Sequence, residues 1–394
     1  MKPEGRVDPE SGEATGDRAF QVRAVELREV ALPLVRPFRT SFGEETDKQA
    51  ILVRVVLSTG RDEVQGWGEC VASADPLYSE EWLEGSWLIL ANYLSPALLR
   101  SGPFATPTEV EARMGVVRGH PMAKAAVVAA VLDAWLRARD QSLAAFLGGV
   151  TERVPCGVSV GIAPNVEALL DEIHGYLDRG YQRIKLKIEP GRDLSVVAAV
   201  REELPDTPVS VDANAAYDLS AVPLFEALDE LGLLMIEQPL GHHDFTDHAT
   251  LQQRIHTPIC LDESIRSAHD ALLAMDLEAC RVINIKPGRV GGVLEAKRVH
   301  DRASMNDVPV WIGGMLETGV GRAPNLALAA LAGVRFPGDT SASDRYFPED
   351  LTDPFVLAPD GTMAVPDGPG IGVEPRPDRL RACTARVESV RSGA

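Results

Sequence analysis

Five ionisable residues recur in this chain at a spacing that suggests chemistry. Lys187 ends "RIKLK", Asp212 lies in "VSVDAN", Glu237 in "LLMIEQP", Asp262 in "PICLDES", and Lys286 ends "VINIK". Neighbours in this series stand 24 or 25 residues apart, the length of one strand-plus-helix unit. A β/α barrel keeps its active site at the carboxyl ends of its strands. Five consecutive strands would thus each deliver one charged group at the same height. Asp212, Glu237 and Asp262, on adjacent strands, would raise one another's pKa unless a cation joined them. An all-oxygen set without Cys or His suits Mg²⁺ or Mn²⁺ better than Zn²⁺. The lysines flank the acids, on the strand before and the strand after, so a metal-bound substrate would sit between two amines. In "YQRIKLKIEPG", Arg183, Lys185 and Lys187 alternate with Ile184, Leu186 and Ile188. Alternation puts the cations on one face, and Lys185 and Lys187 are expected at the barrel mouth. The ordinary readings are a solvated KxK edge, helix N-caps for Asp212 and Asp262, and a turn at "EQP". A common register over five strands is hard to obtain from caps.

The elements that must hold these residues are legible as periodicity. After about Val154, short apolar runs alternate with amphipathic helical segments: "CGVSVGI", "RIKLKI", "PVSVDA", "LLMIEQP", "PICLDE", "VINIKP" and "VPVWIGG". Short buried strands alternating with helices imply parallel βα units. Seven or eight such units favour a closed barrel over an open sheet. Before them, "VRAVELREVALPL" and "QAILVRVVLS" predict strands, with "VRPFRTSFGEET" as a loop between. Helical patterns follow at 80–94, 108–114 and 121–139. The expected organisation is a disordered tail over 1–18, an α+β domain over 19–148, the barrel over 149–348, and a Pro- and Gly-containing segment over 349–394 returning to the first domain.

Composition narrows the class. The 394 residues are 45% hydrophobic and 25% charged, with a net charge of −19, which argues against nonspecific nucleic-acid binding. No apolar run is long enough to span a membrane. The polar N-terminus lacks a signal peptide's apolar core. Five scattered cysteines without a CxxC pair suit reduced thiols in the cytoplasm. His242, His243 and His248 invite a zinc reading, but no Cys or Glu lies at ligand spacing, so surface histidines are expected.

Taken in order, "KLK", "VDAN", "IEQP", "LDES" and "NIKPGRVGG" resemble the enolase superfamily, in its muconate-lactonising-enzyme subgroup. "PVWIGGMLETGVGRAPNLALAAL" and "PGDTSASDRYF" resemble more narrowly the o-succinylbenzoate synthase and N-succinylamino-acid (N-acylamino-acid) racemase family. The resemblance covers about 20–377. It implies an α/β fold, a modified (β/α)₇β TIM-like barrel with an α+β capping domain. It also implies Mg²⁺, for which Mn²⁺ or another divalent ion could substitute, on Asp212, Glu237 and Asp262, with Lys187 and Lys286 as acid/base pair. Lys185 and Asn214 would support the substrate carboxylate. Ser159, Gly313, Gly314 and Met315 would line the pocket from the barrel, and Tyr78 and the loop around Phe42 would close it from the cap. Ile312 departs from relatives that often have Cys there, which alters the lining and leaves the chemistry untouched. Relatives are often homo-oligomers, octamers or dimers.

The implied substrate is a small carboxylate, losing its α-proton to give an enediolate. The base must be neutral near pH 7, whereas a free lysine has a pKa of about 10.4; burial and the like charge of Lys185 push Lys187 downward. Two reactions share this step. One is racemisation of an N-acyl amino acid, with Lys187 and Lys286 on opposite faces. The other is dehydration to o-succinylbenzoate for menaquinone synthesis, with Lys187 as base and then acid. Arg289 in "KPGRVGG" resembles the arginine accompanying the racemase branch, which favours the first. A mandelate-type reading lacks its strand histidine, since His300 lies in a predicted helix. A dipeptide epimerase would want an acidic pair where "GGMLETG" offers Glu317. A non-catalytic metal-binding barrel would not need both lysines.

Overall fold

The computed structural model describes residues 19–41, 43–60 and 62–391; the expected tail over 1–18 and Phe42 lie outside the described residues. Strands β1 (Gln21–Thr40), β2 (Gly43–Ser58) and β3 (Glu63–Cys70) form an antiparallel sheet. The expected loop "VRPFRTSFGEET" is largely strand. Pairing shifts register between Pro33 and Phe38 and resumes at Phe38–Glu45, Arg39–Glu44 and Thr40–Gly43. Proline has no ladder donor, so residues between these positions leave the ladder without ending the hairpin. Its tip reaches the barrel, where the Ile162 amide donates to the Arg39 carbonyl at 3.1 Å.

The helix Pro121–Arg137 is buried almost all round, because it lies between this sheet and the barrel. Close approach is possible because β3 carries glycine: a Cβ on Gly68 would stand 2.1 Å from the Ala126 carbonyl oxygen. The buried Asp133 accepts the Trp67 and Ile371 amides, each at 2.8 Å, and so joins helix, sheet and C-terminal segment.

Seven parallel strands follow: β4 (Val158–Val160), β5 (Ile184–Lys187), β6 (Val209–Asp212), β7 (Ile236–Glu237), β8 (Ile259–Leu261), β9 (Val282–Ile285) and β10 (Val310–Ile312), each beside its predecessor. The segment 334–339 closes the ring. The Arg335 and Asp339 amides donate to the Val310 and Ile312 carbonyls at 3.0 and 3.2 Å, and the Gly157 amide donates to the Gly338 carbonyl at 2.8 Å. Seven strand–helix units and this closing segment, bridged at Val334 and Gly338, make the modified barrel. The last strand, β11 (Thr384–Arg391), pairs antiparallel with β1.

Glu69 locks the two parts together. Its carboxylate accepts the Thr318 amide at 3.0 Å, the Thr318 hydroxyl at 2.6 Å and the Gly321 amide at 2.9 Å, all at the start of the barrel helix Gly319–Ala329. Burial nevertheless raises its pKa from 4.5 to about 7. Folding therefore retains a proton that the unfolded chain releases near 4.5. The resulting stability is full below that value and lost as pH rises towards 7. Glu69→Gln fixes a neutral group, so urea unfolding should show a shallower loss of stability from about pH 5 to 7, by up to about 1.4 kcal/mol per pH unit. Parallel slopes in the two proteins would show that Glu69 is ionised throughout.

Candidate active site

Strand register brings the charged residues together. Arg183, Lys185 and Lys187 share the inward face of β5. Arg183, fully buried, bonds Asp339 at 2.5 Å, Ser210 Oγ at 3.2 Å and the Pro337 carbonyl at 2.8 Å. Asp212 stands beside Lys187 across one ladder and beside Glu237 across the other. The helix caps are other residues: Asp193, Asp218, Asp244 and Ser267 accept the first helical amides. Asp212 and Asp262 are thus left for the barrel interior, and both are fully buried.

Lys185 bridges Asp212 and Glu237, 3.1 Å from each, and meets Asp339 at 2.6 Å. Lys187 donates to Asp212 Oδ2 and Asn214 Oδ1, both at 2.6 Å. Asn214, in the left-handed region at φ 44°, also donates to Glu263 at 2.8 Å. Across the barrel, Lys286 donates to Asp262 at 2.7 Å and to the Tyr78 hydroxyl at 3.3 Å. Arg289 lies behind it, on Asp262, the Ile265 and Asn284 carbonyls and Tyr78. Asn284 donates to Glu237 Oε1 at 2.8 Å.

Lys187 and Lys286 are pushed in opposite directions. Burial lowers Lys187, and Lys185 adds to this against the pull of Asp212. Burial also lowers Lys286, but Tyr78, Glu263, Glu237 and Asp212 outweigh it and raise the ammonium above the lysine range. Lys185 is likewise raised, its burial outweighed by Asp339, Glu237 and Asp212.

A cavity of about 260 Å³ lies above these groups. Lys185, Lys187, Asn214, Lys286, Ser159, Gly314, Met315 and Tyr78 all line it. The Ser159 hydroxyl is buried without a hydrogen-bond partner. Gly313 sits to one side, where a Cβ would stand 2.3 Å from Asn284 Oδ1; it makes room for Asn284 and does not line the pocket. Arg289 also acts from behind the lining, through Asp262 and Tyr78. Residues the sequence reading left unassigned include Asp339, Asn284 and Glu263. Asp339 follows "PG" in a loop-like stretch with no periodicity to mark it. Glu263 stood in plain view in "LDES". The hairpin adds Phe38, Thr40, Glu44 and Asp47 to the wall.

Residues 168–379 match the enolase C-terminal domain-like family, and residues 22–148 match the mandelate racemase/muconate lactonizing enzyme N-terminal domain. The chain belongs to the enolase superfamily. Within it, the chain falls in the muconate-lactonising subgroup, close to the synthases and racemases named next. An N-succinylamino acid racemase of Amycolatopsis sp is 53% identical over 370 residues, covering 93% of this chain and 99% of the relative. An o-succinylbenzoate synthase of Geobacillus kaustophilus is 48% identical over 356 residues, covering 90% and 94%. The crystal structure of an enolase superfamily member from Listeria innocua superimposes with a TM-score of 0.90 at 40% identity, covering 95% of this chain and all of that one. This is an enolase-superfamily enzyme of the isomerase and lyase type.

The interior residues fit the divalent ion such a site would take. Five buried acids (Asp212, Glu237, Asp262, Glu263, Asp339) face five cations (Arg183, Lys185, Lys187, Lys286, Arg289), which balances only while every lysine is charged. A lysine acting as base must be neutral, and a substrate carboxylate adds a further negative charge. A divalent cation makes up that difference, and Glu263 Oε2 is a buried oxygen without a hydrogen-bond donor. The three expected ligands do not gather on one point here. Asp212 and Glu237 share Lys185, while Asp262 is engaged by Lys286 and Arg289. Among the described residues, the cluster whose three ligand atoms lie within 4.8 Å of one another is Glu80, His242 and His243, at the rim, an arrangement able to hold a divalent ion.

Proposed function

We propose that this chain is an N-succinylamino-acid (N-acylamino-acid) racemase that moves an α-proton between Lys187 and Lys286. The observation carrying this reading is positional. Lys187 ends β5 and Lys286 follows β9, four strands apart in a seven-stranded sheet whose two edges are joined through 334–339, and both line one cavity. Opposite walls give a bound α-carbon one amine on each face. Mg²⁺ on Asp212, Glu237 and Asp262 would stabilise negative charge developing on the substrate carboxylate. Lys185, held by three acids, supplies a fixed positive charge beside that carboxylate. For one enantiomer Lys187 takes the proton and Lys286 returns one to the other face; for its mirror image the roles exchange. Asn214 and Asp212 hold the Lys187 amine, while Tyr78 and Asp262 hold that of Lys286. The Ser159 hydroxyl and the backbone at Gly314 are placed to orient the acyl group. Five unpaired cysteines suit a reducing compartment such as the cytoplasm.

The second reading is o-succinylbenzoate synthase, supported by the Geobacillus relative. There Lys187 alone would remove the proton and protonate the leaving hydroxyl, and Lys286 would remain a cation. Proton exchange separates the two. Incubated in D₂O with Mg²⁺, a racemase exchanges the α-proton of both enantiomers of an N-succinyl amino acid, read by NMR. Fast dehydration of the cyclohexadiene precursor, with no exchange into either enantiomer, would decide for the synthase.

A further inference from the structure

The barrel interior leaves unexplained the cluster at its rim. Glu80 belongs to the cap loop that follows Tyr78; His242 and His243 belong to the loop after β7. Their ligand atoms lie within 4.8 Å of one another, and all three side chains reach solvent. No spacing along the chain marks this cluster, because the Glu that meets the histidines is 162 positions before His242.

Both loops are held in place by other bonds. On the cap side, Glu81 accepts the Met122 and Ala123 amides at 2.8 and 3.2 Å, and Ser79 Oγ accepts the Glu81 amide at 3.2 Å. On the barrel side, the Asp244 amide donates to the Gly241 carbonyl at 3.1 Å. This closes a turn whose two central residues are His242 and His243, their rings 4.0 Å apart. Asp244 then accepts the Asp247 amide and caps the helix Phe245–Gln252. Arg266, which Asp270 engages at 3.6 Å, acts on His242 electrostatically.

Two imidazole nitrogens and one carboxylate oxygen are donors that Zn²⁺ takes at about 2.0–2.2 Å, with water completing the set. Mg²⁺ prefers oxygen alone. We propose that Glu80, His242 and His243 form a Zn²⁺ site, separate from the all-oxygen site inside the barrel, that clasps the cap loop to the barrel rim. Its consequence lies two residues away. The Tyr78 hydroxyl stands 3.3 Å from both Lys286 and Arg289, so an ion on Glu80 restrains the loop that puts Tyr78 there. The clasp is independent of whether the enzyme racemises or dehydrates.

The test titrates the full-length protein with Zn²⁺ against a chromophoric chelator, in excess Mg²⁺ to occupy the inner site. Glu80→Gln, His242→Ala and His243→Ala are run in parallel. The wild type should take up one Zn²⁺ per chain, at least about tenfold more tightly than each variant. Hydrogen exchange over 73–82 should slow on Zn²⁺ addition in the wild type alone. Uptake equal in all four proteins overturns the site. Uptake lost in the histidine variants but kept in Glu80→Gln leaves a bare histidine pair and overturns the clasp. Uptake lost in Asp212→Asn, but kept in the three rim variants, places the zinc inside the barrel and overturns both.

Discussion

Lys187→Ala and Lys286→Ala should each lower kcat/KM for racemisation by about 10³-fold or more, a loss of about 4 kcal/mol in transition-state stabilisation. The two losses should not be alike in kind. In the proposed mechanism each lysine serves one face, so each variant should still exchange the α-proton of one enantiomer with D₂O and fail on the other, in mirror fashion. Both amines are buried within carboxylate cradles, Lys187 on Asp212 and Asn214, Lys286 on Asp262 and Tyr78. Removing either also leaves a buried acid short of a cation, so thermal melts must accompany the kinetics. Equal loss with both enantiomers in a folded Lys286→Ala protein would point to a single working lysine. Full exchange of both enantiomers in that variant would remove Lys286 from proton transfer.

Asp339→Ala should be the most damaging single change away from the reacting atoms. Asp339 meets Arg183 at 2.5 Å and Lys185 at 2.6 Å, and Arg183 has no exposure. Deleting one member of a buried ion pair strands the other charge, at a cost of about 3–5 kcal/mol. Denaturant unfolding should show this as a lower midpoint with an unchanged slope. Lys185 would also lose one of its three acids and its fixed position, so turnover should fall by about 10²-fold even where the protein is folded, as expected for a misplaced charge. Asp339→Asn keeps the shape and one acceptor. It should recover part of the stability and little of the activity, since the charge that holds Lys185 is still missing. Asparagine restoring both would reduce Asp339 to a hydrogen-bonding residue.

What could be read from the chain was local. Each βα unit carries its own signature: an apolar run, then a charged residue, then an amphipathic helix. The interval of 24 or 25 residues therefore revealed both the barrel and the five groups at its mouth. Alternation along "RIKLK" put the cations on one face for the same reason. What could not be read joins residues from different units. The hairpin over "VRPFRTSFGEET" has a proline, Pro37, that mimics a loop, and only pairing across to β2 shows a strand. Asp339 is bracketed by turn-like residues and acquires its role because Arg183 and Lys185 open towards it.

The sequence alone determined the superfamily, the barrel and the inventory of acids and amines, because strand period and unit length are properties of consecutive residues. Only the tertiary structure decided which acid holds which amine, how Asn284, Glu263 and Asp339 complete the charge balance, and that Glu80 meets a histidine pair from the other domain. Those pairings follow from the closing of a ring and the docking of a cap, and no spacing along the chain encodes them.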